Sequence, residues 1–225
     1  MVLRRLALLS ALLPACVAAH GSTLHLQIIG SDGAALEHAV AYFDVESGTA
    51  TAGTHAEMDH RDMQYQPHVL PVQRGTLVDF PNRDQVRHHV YSFSPAKRFE
   101  LPLYSGRPAE PVLFDVAGSV VLGCNIHDHM VGYILVLDSA HFAAAGDDGG
   151  YRLTRPSDAD DAELVIWHPV LERQGAVHRQ VVAADVGDLV VELDVLDEPP
   201  AGPEGLQHQR RRGLEERFQR HRGHD

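Results

Sequence analysis

The residues best suited to chemistry lie on one short stretch. Between two apolar, β-like runs, 120–122 and 131–136, the chain sets Cys124, His127 and Met130 at C-x2-H-x2-M spacing. A thiol, an imidazole and a thioether, joined by one more histidine, make up a trigonal His2Cys copper site with a weak, long axial Met. Thiolate and thioether are soft donors that favour Cu(I), whereas imidazole also suits Cu(II). A site that mixes them can hold both states, so the spacing predicts a carrier of single electrons.

These donors need a compartment and a frame. Arg4 and Arg5 form a basic opening, residues 6–17 are a short apolar stretch, and Val17-Ala18-Ala19 supplies small residues for cleavage. Residues 1–19 therefore read as a secretory signal peptide, with a mature start near His20 and a periplasmic location. A lipid anchor at Cys16 would need Leu13-Pro14-Ala15-Cys16 as its acylation box, which Pro14 fits poorly. Cleavage after Ala19 leaves Cys124 as the lone cysteine, so an internal disulfide is excluded. Binding a metal would protect that thiol in an oxidising compartment. The apolar opening is too short to span a bilayer, and no later run is long enough. With 31 acids against 19 bases and a formal net charge of −12, nucleic acid and anionic membranes are disfavoured as partners.

Alternating runs at 24–28, 39–43, 69–72, 77–80, 86–93, 112–114, 119–122, 133–137, 151–153, 162–167, 177–183 and 189–196 predict short strands. Gly33, Gly75, Pro81 and Gly118 punctuate them, and 138–150 reads as a loop. The expected class is all-β, built from β-sandwiches. The polar tail, 198–225, is expected to be disordered.

From Glu57 to Leu137 the order of features resembles the cupredoxins. Tyr65 and Pro67 precede an apolar strand closing in Gly75. Val78-Asp79-Phe80-Pro81-Asn82-Arg83-Asp84 follows, then His88-His89-Val90, and then the Cys124 loop ending in Met130-Val131-Gly132-Tyr133-Ile134. The loop has the short spacing of amicyanin, and the whole string is similar to cupredoxins labelled "methylamine utilization protein". The resemblance implies a Greek-key β-sandwich over 57–138 holding one type 1 (blue) copper per chain. Its ligands would be His88, Cys124, His127 and Met130, with the edge of His127 as the electron port. In a strand, His88 shares its face with Val86 and Val90 and should point into the core. His89 is the alternative upstream ligand, and His129 is expected to be exposed. Asn82 and Asn125 either hydrogen-bond around the thiolate or serve structure.

The flanking segments, 20–56 and 139–197, resemble a carboxypeptidase regulatory-like β-sandwich, with Gly30-Ser31-Asp32-Gly33 near its start and Gly149-Gly150-Tyr151 in its continuation. The copper domain would then be inserted into it. The rival arrangement gives the N-terminal strands to the cupredoxin and leaves a separate C-terminal module. The resemblance implies a periplasmic electron-transfer protein, a monomer that is not an enzyme, working with redox partner proteins. A copper-binding or copper-delivery module without electron transfer is the alternative. A histidine-brace oxygenase built on His20 is a further one.

Overall fold

The computed structural model describes residues 22–108, 110–156 and 161–195. Residues 1–21 and 196–225, which include the expected signal peptide and the expected tail, lie outside the described residues. The strands β1 (Thr23–Ile29) and β2 (Val40–Phe43) come first. The middle of the chain supplies β3 (His55–Glu57), β4 (Asp59–Arg61), β5 (Gln64–Gln66), β6 (Val69–Gln73), β7 (Thr76–Asp79), β8 (His88–Ser94), β9 (Lys97–Tyr104), β10 (Val112–Phe114), β11 (Gly118–Gly123) and β12 (Val131–Leu137). There follow β13 (Phe142–Ala144), β14 (Gly150–Thr154), β15 (Asp161–Trp167), a single helical turn α1 (Pro169–Arg173), β16 (His178–Ala183) and β17 (Asp188–Glu192).

The middle strands form a cupredoxin-like β-sandwich. One sheet has the order β6-β12-β11-β8-β9 and the facing one β10-β7-β3. Strand alternation fills the space between them with Val78, Phe80, Val90, Phe114, Val120, Leu122, Ile134 and Val136, all buried. β9 forms a hairpin with β8. Phe99 and Leu101 alternate with exposed Arg98 and Glu100, and Pro102 follows, a residue that a central strand would not tolerate. β9 lies at the sheet edge, where proline is allowed.

Outside this unit, β1 pairs with β14 and β17, and β2 pairs with β13 and β15. These sheets enclose a core of their own: Leu24, Leu26 and Ile28 face Phe43, Leu164 and Ile166. The 138–150 segment, expected to be a loop, contains β13. The chain passes between the two sandwiches at neighbouring points, since the Ser47 amide bonds to the Asp138 carbonyl at 3.0 Å.

The two cores are joined by a third apolar cluster. β12 is buried along its whole length: Ile134 and Val136 face the core of the middle sandwich. Val131, Tyr133, Leu135 and Leu137 face Val40 of β2 and Trp167 of β15. The Trp167 indole meets Tyr133 edge-on, with ring centroids 5.8 Å apart. A sheet face that would otherwise meet water is thus covered by the second sandwich.

Candidate metal centre

Residues 124–130 form the loop between β11 and β12, and its length is set by the antiparallel pairing Gly123–Val131 at its base. Tyr65 braces that base. It packs against Gly132, where a Cβ would come within 2.7 Å of the Tyr65 Cβ. The Tyr65 hydroxyl also donates to the Gly123 carbonyl at 3.1 Å. From the other side the Tyr91 ring covers Gly123, leaving no room for a side chain there. Both glycines flanking the loop are therefore fixed by close approach of an aromatic residue.

Cys124 is buried at 1 % exposure and His88, at the start of β8, at 0 %. The His88 Nδ1 lies 4.0 Å from the Cys124 Sγ, the His127 Nδ1 lies 3.8 Å from that sulfur, and the two nitrogens are 3.2 Å apart. A point in the plane of these three atoms lies about 2.1 Å from each, the length of a metal–imidazole bond and about 0.2 Å short of a metal–thiolate bond. The donor set is that of a trigonal His2Cys copper. The residues present therefore fit the group. Met130 is fully buried in the same cluster as Cys124, and its amide bonds to the His127 carbonyl at 2.9 Å. One donor thus comes from a strand, while the others come from one loop.

The alternation of β8 separates the two upstream histidines. His88, Val90 and Ser92 are buried. His89 faces the other way, where its Nε2 meets the Glu100 carboxylate at 2.9 Å. Val86, expected to share the inward face, lies before the strand begins and is 46 % exposed. His129 is exposed, with its ring 6.1 Å from that of His127. Asn82 serves structure: its amide donates to the Val86 and Tyr104 carbonyls, and its oxygen accepts from the Asp84 amide. Asn125 is exposed.

Two further residues at this site were not singled out by the sequence. The Asp84 carboxylate holds the His88 Nε2 at 2.7 Å and also accepts from the amides of Asp62 and Met63. Burial opposes its charge, yet the bonds from the Met63 amide, His88 and the Asp62 amide hold its pKa below the ordinary value. A carboxylate on the remote nitrogen fixes the ring's tautomer and aims Nδ1 at the thiol. The second residue is His60, fully buried with its ring edge-on to His88 at 5.3 Å. The Tyr104 hydroxyl donates to the Phe80 carbonyl and so accepts from the His60 Nδ1. Burial first, and the neighbouring His88 second, push the His60 pKa down to about 3, so the ring is neutral. His127 is also shifted down, by burial and then by His88 and His129. Neutral imidazoles are what a metal requires. The i−4 spacing of Asp84 before His88 was the available signal for the first residue; nothing local marks His60.

No protein-family model matches the chain, and no curated protein matches it. Among solved structures, a reduced amicyanin variant is similar at 26% identity with a TM-score of 0.33, over 43% of this chain and 97% of that one. A copper-containing nitrite reductase from Thermus scotoductus is similar at 23% identity with a TM-score of 0.36, over 42% of this chain and 25% of that one. Both likenesses cover less than half of this chain, and the case for a metal rests on the donor geometry.

Proposed function

We propose that this chain is a periplasmic type 1 copper protein, holding one copper through His88, Cys124 and His127 with Met130 as the axial donor, and that it carries single electrons between partner proteins. The observation that supports this most directly is the triangle of two imidazole nitrogens and a buried thiol. When bound, copper supplies a one-electron couple between Cu(I) and Cu(II). The residues do the rest. Asp84 fixes the orientation of His88, and the Tyr65 and Tyr91 rings hold the base of the loop. A rigid donor set needs little rearrangement between oxidation states. His127 is the one half-exposed member of the triangle, and its outer edge is the proposed electron port. Four protein donors leave no open position for a substrate, which suits a carrier rather than an enzyme. Among the described residues no helix is long and apolar enough to cross a membrane.

The test is a visible spectrum of the purified chain after addition of one equivalent of Cu(II). An intense thiolate-to-copper band that reductant bleaches and oxidant restores is expected. A colourless one-to-one complex would rule out the electron carrier.

A further inference from the structure

We propose that His60 is a positioning residue for the metal centre, holding the strand donor His88 in register with the loop that carries Cys124, His127 and Met130. The metal in this proposal is that of the type 1 reading, but the contacts that carry it belong to the polypeptide alone. The donors come from one strand and one loop, so their spacing depends on what packs between those two elements. The His60 ring lies there. It meets His88 edge-on, with centroids 5.3 Å apart at 82°, and it meets Tyr65 edge-on at 5.0 Å and 81°. Both separations are those of rings in contact. Tyr65 in turn donates to the carbonyl of Gly123, one residue before Cys124. A chain of contacts thus runs from the upstream donor through His60 and Tyr65 to the base of the ligand loop.

His60 is itself fixed in place. Its amide donates to the Pro81 carbonyl at 2.9 Å, and its carbonyl accepts from the Arg83 amide at 3.0 Å. These bonds tie it to the stretch just before Asp84, whose carboxylate holds the His88 Nε2. The His60 Nδ1 meets the Tyr104 hydroxyl at 3.3 Å, and Tyr104 is the residue paired with His88 across β8 and β9. His60 is 0 % exposed, so its ring has no open path away from the site. His88 is therefore gripped twice, at its remote nitrogen by Asp84 and at its ring by His60. The His60 Nε2 is buried and hydrogen-bonds to no protein group among the described residues. Burying an unbonded polar atom costs stability, so the fold alone would be served as well by a phenyl ring. What His60 gives the metal centre is a rigid, flat side chain between the two donor-bearing elements.

The experiment measures copper affinity of the full-length chain by competition with a chelator, in wild type, His60→Ala, His60→Leu and His60→Phe. His60→Ala should bind at least about tenfold more weakly, the scale for losing a group that orients a metal ligand. His60→Phe keeps a flat ring and should return affinity to within about twofold of wild type. His60→Leu fills most of the space without the ring, which keeps the comparison open where alanine fails to fold; it too should bind more weakly than His60→Phe. A second arm uses no metal. In the metal-free chain, the imidazole nitrogen resonances of His88 should be sharp in wild type and His60→Phe, and broadened in His60→Ala and His60→Leu. A wild type that takes copper without a thiolate band would end the type 1 reading and leave this second arm standing. Unchanged His88 resonances in both ringless variants, or a His60→Phe protein that binds copper as weakly as they do, would overturn the positioning role. So would lowered urea stability in those variants at wild-type affinity, which would mark His60 as a packing residue only.

Discussion

Replacing Gly132 by alanine tests whether the ligand loop is held by close packing at its base. The new Cβ would lie 2.7 Å from the Tyr65 Cβ and 2.9 Å from its Cγ and Cδ2, where 3.4–4 Å is ordinary contact. Tyr65 is 2 % exposed and tied through its hydroxyl to the Gly123 carbonyl, so the ring has no free path away. Forcing a methyl into such a site costs ~1–3 kcal/mol, and displacing the ring enough to break its buried hydrogen bond adds about 1 kcal/mol. The expected loss of roughly 2–4 kcal/mol is a large part of a typical domain's stability. The assay is urea unfolding of the metal-free chain followed by circular dichroism, in Gly132→Ala, Tyr65→Ala and the double variant. Removing the ring takes away two of the three clashing atoms and gives the third room to move. The Gly132→Ala change should therefore cost at least about 1 kcal/mol less when Tyr65→Ala is already in place. A Gly132→Ala protein within about 0.5 kcal/mol of wild type, or an undiminished cost in the double variant, would refute the packing argument.

Other substitutions separate the remaining roles. Asp84→Asn should keep the fold and weaken copper binding about 10–100-fold by releasing the His88 ring, as measured by competition with a chelator. In the copper-loaded chain, Cys124→Ala should abolish the visible band and His89→Ala should leave it close to wild type, while Met130→Leu should raise the potential in voltammetry because a weak donor to Cu(II) is lost. Trp167→Ala should cost about 3–5 kcal/mol in urea, since the indole covers the outer face of β12 at the junction of the sandwiches. Asp79 is held below its ordinary pKa of 3.8, first by its hydrogen bond to His55 and then, against burial, by Arg107. Its contribution to stability is therefore complete above that value and lost as pH falls through the folded-state pKa. Acid unfolding of Asp79→Asn should show a shallower slope than wild type below about pH 4; an identical slope would place that loss elsewhere.

The sequence by itself determined the contiguous part of the candidate site. Cys124, His127 and Met130 share one loop, so their spacing was readable without a fold, as was the two-residue alternation that makes the flanking runs strands. The apolar run at 133–137 was readable as a strand, but that both of its faces are buried came only from the fold. Tertiary structure decided what depends on register and on distance along the chain. His88 and His89 are neighbours in sequence and opposites in space, because a strand turns successive side chains to opposite faces, and only the pairing of β8 fixed which ring meets the thiol. Asp84 lies four positions before His88, but the amides of Asp62 and Met63 that hold its carboxylate come from 22 and 21 positions away, which no local pattern specifies. His60 enters from β4, 28 positions before the histidine it touches. Local propensity sets the elements; the burial of apolar faces against one another decides which distant side chains become neighbours.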